Sequence, residues 1–384
     1  MEMKPLAFNA PLDEYIAQAD ALLAGWNSSN AGAVRVFRSR HPKFLDDKIP
    51  WLERHMTDAE VRATPIDRDD ARLALARWYE FQDWQRLEEY VASVQEPFAP
   101  ITRFERAVEA VIDGDIATLR ALLNYDPRLV RARSTRVNHV DPPMHRATLL
   151  HYLAANGVEG YRQRSPKNAV EIAKLILSTG ADPNALSWAY GGQCTTMALL
   201  VSSTPPAEAG VQVPLVEVLI DFDASMRPAG EGNWTSPVET ALVFGKHDAA
   251  QALVRRGAPI ESLAAAAGLG RIEDVKRLLP SAAEQDRHRA LALAAQSGQA
   301  EAVGVLLDAG EDPNRFNPPG THSHTPPIHQ AVAAGHLDVV KLLVERGARL
   351  DIEDTIHHGT PLGWAKYCDQ PTIAEYLKGK GASA

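Results

Sequence analysis

Between Arg120 and Lys167 the chain carries nine basic residues against three acidic ones, Asp126, Asp141 and Glu159. Guanidinium groups at this density can pair bidentately with carboxylate or phosphate oxygens. The local net charge of +6 is set in a chain whose 40 Lys and Arg and 49 Asp and Glu leave −9 overall, so the rest carries −15. The candidates are Arg131, Arg133, Arg136 and Arg146 in one stretch, then Arg162 and Arg164 with Tyr161 beside them. Solvated surface charge would account for the same run. A functional patch requires the two stretches to lean toward one another, which spacing alone leaves open.

Other residue types with chemical potential read differently. His322 and His324 supply two imidazoles, but a closed zinc site needs about four ligands, so no metal is expected and a pH-responsive contact is the better reading. Trp188, Tyr190, Trp234 and Phe316 are either interface anchors or rings buried under long loops. Trp26, Trp51, Trp78, Trp84 and Trp364 are expected to pack on helical faces. Cys194 has no base at a recognisable spacing and reads as a small buried hydrophobe. The chain lacks GxSxG, GxxxxGK[ST], HExxH and CxxC, and Gly268-Leu269-Gly270 continues as Arg271-Ile272-Glu273, breaking GxGxxG. No catalytic residue and no cofactor is assigned.

Composition narrows the partner. With 45% hydrophobic and 23% charged residues, the 384-residue chain is expected to be ordered around a large core. Its acidic balance argues against nucleic acid and against an anionic membrane. The start, MEMKPLAFNAPLDEY, has no apolar leader, and no uncharged apolar run approaches the roughly 18 residues of a span. Two cysteines, Cys194 and Cys368, fit a reducing cytoplasm.

The elements that must position these residues come from internal repetition. Pro327-Ile328-His329-Gln330-Ala331 runs through Gly335-His336-Leu337-Asp338-Val339-Val340 to Gly347-Ala348, and the pattern returns 34 residues on at Pro361, Leu362, Ala365, Ile373, Leu377 and Gly381. The same frame fits Gly298 to Asn314, Pro237 to Ala258 and Thr148 to Asn184. Looser copies start near Phe104, Thr195 and Leu263, which makes about eight units between Phe104 and Ala384. A hydroxyl cap, small Ala positions, a turning Gly and a second Leu-rich helix describe one stacking unit. Asp223 stands where other units carry the left-handed Gly, a conformation Asp tolerates.

This pattern resembles the ankyrin repeat, of the kind seen in bacterial proteins with a short helical N-terminal segment. The resemblance implies an all-α fold: an α-solenoid of about eight repeats with short β-hairpin fingers over 102–384, preceded by a helical cap domain over 1–101. In that cap Leu12, Ile16, Ala19 and Leu23 share a face, as do Trp84, Leu87 and Val91. Thr57 to Glu60 and Thr102 to Glu105 are candidate capping boxes. Inserts at 158–168 and 204–212 lengthen two inter-helix turns, and the unit at Leu263 to Leu279 leaves no room for a finger.

The implied function is non-catalytic recognition of a protein partner, acidic or phosphorylated, through the concave surface and the inserts. The alternative is an enzyme or small-molecule binder with a pocket between the N-terminal helices and the inserts, whose Tyr, Arg, Gln and Gly content is unlike that of plain linkers. On the first reading, residues 102–384 are expected to fold alone.

Overall fold

Short apolar-periodic stretches bounded by hydroxyl, Asp, Gly and Pro punctuation become short helices. The computed structural model describes residues 2–49, 51–139, 142–232 and 234–383, and these are mostly helical. Local chemistry sets many of the starts. Thr57 accepts from the Glu60 amide while the Glu60 carboxylate takes the Thr57 amide, the expected capping box. Thr102 behaves otherwise. Its helix, Pro100–Asp113, starts two residues earlier with Pro in the first turn, so Thr102 and Glu105 face the interior instead of capping.

The chain divides into two compact units, residues 1–211 with 230–232, and residues 212–229 with 233–384. The seam expected between 101 and 102 therefore falls inside the first unit. In that unit the helices Leu12–Asn27, Ala31–Arg40, Arg68–Trp78 and Trp84–Ser93 close around Leu22, Phe37, Leu75 and Leu87, all fully buried. Trp51 corrects the packing expectation, because it is 70% exposed. Pro100–Asp113 packs on Ile116–Tyr125 and on Leu149–Ala154, which in turn packs on Ala169–Ser178 and Thr196–Ser202.

Both inserts are structured. The first contains a single 3-10 turn, Gly160–Arg162, and the second forms the short helix Thr204–Glu208. The strands Leu186–Ala189 and Gly192–Thr195 pair antiparallel, with Trp188 opposite Gln193. The outer edge of this hairpin is covered by the 230–232 segment, where the Gln193 amide donates to the Glu231 carbonyl at 2.6 Å. The approach needs glycine: Gly230 and Gly232 have φ of 87° and 108°, and a Cβ on either would come within 2.7 Å of the hairpin at Gln193 or Gly192.

The second unit shows the repeat in two rows. Pro237–Val243, Leu263–Gly268, Glu284–Gln296, Pro327–Ala333 and Pro361–Tyr367 pack each on the next. In the second row His247–Arg255 packs on Gln212–Asp221, and Ile272–Leu278, Ala300–Asp308, Leu337–Glu345 and Pro371–Gly379 pack each on the next. Asp223 has φ of 64°, matching the left-handed Gly257, Gly310 and Gly347 of other units. As the spacing predicts, no finger follows Leu263–Gly268: Ile272–Leu278 runs into the turn Leu279–Ser281 and then the 13-residue helix Glu284–Gln296. No helix of the described residues is long and apolar enough to cross a membrane.

Candidate partner-binding surface

The arginine-rich segment separates into a buried group and an accessible group. Arg162, on the turn of the first insert, is completely buried, and its Nη2 lies 2.7 Å from Glu105 Oε2 and 2.9 Å from Glu109 Oε1. Arg136 Nε stands 3.6 Å from both Glu105 Oε1 and Glu159 Oε1. Tyr90 donates to Glu105 at 3.0 Å, Tyr152 donates to Glu159 at 3.3 Å, and His145 Nε2 is 3.1 Å from Glu159. The guanidinium of Arg136 lies 4.2 Å from the Tyr90 ring centroid and 4.7 Å from that of Phe81.

Burial opposes the charge of Arg162 and of Glu159, and pairing overrides it at both. The guanidinium of Arg162 is desolvated, yet Glu105, Tyr161 and Glu159 hold its pKa well above the ordinary value. Burial alone would raise Glu159, but Arg136, His145 and Arg162 keep it well below the usual carboxylate range.

These contacts correct the expectation that Arg136, Tyr161 and Arg162 face a partner. Tyr161 stacks on Trp78 with centroids 5.9 Å apart, sets its edge 5.3 Å from Tyr79 and accepts from Arg136 Nη1 at 2.9 Å. The three side chains join the insert to the N-terminal helices. The sequence reading missed Tyr90, Glu105, His145 and Glu159 because their partners are distant along the chain; Glu159 and Arg162, three residues apart, were the only local hint. Arg164 is half-exposed and held by Asp113, with Nη2 to Oδ1 at 2.6 Å.

The accessible group is Arg131, Arg133 and Arg146. Arg131 and Arg133 line a cleft of about 340 Å³ with Val130, Thr148, Gly180, Asp182 and Ala185. Arg133 Nη1 donates to the main-chain carbonyls of Arg146, at 2.9 Å, and Leu186. Arg131 Nε reaches the Gly180 carbonyl at 3.5 Å. Arg146 is exposed, with φ of 54°. Among the described residues none of the three forms an ion pair with a carboxylate.

The aromatic candidates are divided as well. Tyr190, at the hairpin turn, is 71% exposed and donates to Asn156 Oδ1 at 2.5 Å. Trp188 is half-buried, its amide donating to the His145 carbonyl at 2.8 Å, which ties the hairpin to the preceding finger. Trp234 and Phe316 are half-buried in the loops before Pro237–Val243 and Pro327–Ala333.

The histidines are absorbed by local structure. His322 Nε2 donates to the Val243 carbonyl at 3.1 Å, and the His324 ring lies 6.0 Å from Trp364 while burial lowers its pKa. Among the described residues no group of three His, Cys, Asp or Glu side chains converges as a metal site. Cys194 is buried, and burial pushes its thiol up to about 11, far from a reactive thiolate.

Comparison with known proteins agrees with the helix rows. The ankyrin repeat model matches residues 325–355. Human cyclin-dependent kinase inhibitor 2A is 33% identical over 121 residues, covering 30% of this chain and 74% of that protein. Human cyclin-dependent kinase 4 inhibitor B is 32% identical over 127 residues, covering 32% of this chain and 88% of that protein. Mouse ankyrin repeat and SAM domain-containing protein 6 is 32% identical over 111 residues, but the match spans only 12% of its length. Because the likeness to the inhibitors extends over most of their length and the ankyrin repeat model matches residues 325–355, the chain belongs to the ankyrin repeat family.

Proposed function

We propose that this chain is a non-catalytic recognition module that holds a protein partner against its fingers, inner helices and inserted loops in a reducing, cytoplasmic setting. The observation that carries the reading is the contrast within one segment: Arg136 and Arg162 are buried against carboxylates, while Arg131, Arg133 and Arg146 stay accessible around a cleft with no carboxylate partner among the described residues. Accessible arginine and an exposed finger tyrosine are residue types that interfaces use as anchors. The two kinase-inhibitor relatives are named for inhibiting another protein, and stoichiometric binding of that kind is the mode we assign here.

A second reading, a small-molecule site between the N-terminal helices and the repeat loops, rests on a cleft of about 220 Å³ lined by Phe81, Tyr90, Ile101, Thr135 and Arg136. Its only fully buried cation, Arg136, is already engaged by two carboxylates and three aromatic rings. That leaves little capacity for an anionic ligand and favours the first reading.

The full-length chain, tagged and used to capture proteins from its native cell extract, is expected to retain one partner in stoichiometric amount at moderate salt. Capture of no protein, together with a thermal shift from a cell metabolite fraction, would transfer the case to the small-molecule reading.

A further inference from the structure

Arg146 occupies the left-handed region, with φ of 54°. It stands two residues before Thr148, the start of the helix Leu149–Ala154, just as His358, with φ of 53°, stands two residues before Thr360, the cap of Pro361–Tyr367. Glycine adopts this conformation without a Cβ clash, whereas an L side chain costs about 1 kcal/mol there. A strained exposed arginine is a reason to ask what its side chain does.

Its surroundings give an answer. The carbonyl of Arg146 accepts from Arg133, which places Arg146 at the rim of the cleft that Arg131 and Arg133 line. Arg133 is oriented by two main-chain carbonyls, neutral acceptors that fix the guanidinium plane and leave its charge uncancelled. Among the described residues the Arg131 guanidinium donates to the Gly180 carbonyl alone, at the outer limit of a hydrogen bond. Among the described residues Asp182 is the one carboxylate that lines the cleft; it accepts the Asn184 amide at 2.9 Å and shares the lining with Arg131 and Arg133. The site is cationic, oriented and open.

We infer that this cleft is an oxyanion-binding site that takes a carboxylate or phosphate group of an acidic protein segment. The inference rests on the recognition reading above and names the chemistry of the partner. Forked guanidinium donors match planar carboxylates and tetrahedral phosphates, with charge-assisted bonds about twice as strong as neutral ones. The segment is short and local. The rest of the chain carries −15 against the +6 of residues 120–167, so an extended polyanion such as nucleic acid meets repulsion beyond the cleft. Asp182 sets a further constraint: the bound group must sit on the Arg131 and Arg133 side of the cleft to avoid like-charge contact.

The test uses the full chain and three fluorescent peptides of equal length: one rich in Glu, one with a single phosphoserine in a neutral background, and one with Gln replacing every Glu. Anisotropy titration at low salt is expected to show binding of the Glu or the phosphoserine peptide, weakened by added NaCl, and at least about tenfold weaker binding of the Gln peptide. Whichever anionic peptide binds tighter identifies the source of the oxyanion.

The variant Arg131→Gln/Arg146→Gly is expected to lose about tenfold in affinity while melting no lower than the parent, since Gly relieves the left-handed strain at 146. A structural role for Arg146 would lower the melt instead. Equal binding of all three peptides, or a variant that binds as the parent does, would overturn the inference. If a partner captured from extract binds parent and variant alike, the cleft is wrong and the recognition reading stands. If no partner is captured, the recognition reading fails on its own test.

Discussion

Arg162 shows how far a residue's role departs from its type. Its guanidinium is fully buried, with Glu105, Glu109 and Glu159 around it. Replacing one member of such a cluster leaves the others desolvated and uncompensated, so Arg162→Met is expected to destabilise the first unit by about 3–5 kcal/mol. Urea denaturation followed by circular dichroism measures it. Adding Glu105→Gln should recover part of the loss, because the two sites share one network. A single-mutant cost below about 1 kcal/mol, the range of an exposed pair, would show that the cluster is solvated. Sequence alone offered no way to separate Arg162 from Arg164, since the two stand one residue apart in the same insert, on either side of Gln163. Their fates differ because Arg162 meets Glu105 across a separation of 57 residues, whereas Arg164 meets Asp113 at the surface.

At the scale of elements, the first insert and the first finger connect the repeat helices to the N-terminal helices. Tyr161 packs on Trp78 and Tyr79, Arg136 on Phe81 and Tyr90, and the Gln82 amide donates to the Val137 carbonyl at 3.0 Å. The expectation that residues 102–384 fold alone overlooked these contacts, because nearest-neighbour stacking is only part of what stabilises residues 102–211. A chain beginning at residue 102 would take Tyr90 from Glu105, Phe81 and Tyr90 from Arg136, and Trp78 and Tyr79 from Tyr161, opening the cluster and the Tyr161 ring to water. Such a truncation is expected to lose helical signal beyond that of the residues removed and to become protease-sensitive near Arg162 to Lys167. A truncated chain with intact protection there would refute this. Where the elements begin was legible from local chemistry, as at Thr57. The Thr102 box failed because Pro100 already supplies a helix start and Glu105 is drawn inward by Arg162.

For the whole molecule, buried neutral histidines predict acid sensitivity well above the carboxylate range. Burial lowers the pKa of His151 to about 3 and of His139 to about 4, and also depresses His41, His288 and His329. The unfolded chain takes up these protons as pH falls below about 6.5 while the folded chain does not, so their contribution is complete above that pH and fades as pH drops toward the folded values. Each strongly shifted histidine contributes a slope of at most about 1.4 kcal/mol per pH unit. The urea midpoint is therefore expected to fall clearly between pH 7 and pH 5, and an unchanged midpoint would contradict the burial of these rings. What the sequence determined by itself is the repeat: small residues at stacking positions, left-handed Gly or Asp223 after second helices, and a missing finger after Leu263–Gly268 all act within a few residues of chain. What only the tertiary structure decided is which charges stay accessible. That depends on carboxylates and rings delivered by segments far apart in sequence, which is why Arg136 and Arg162 lie inside while Arg131, Arg133 and Arg146 remain around the cleft.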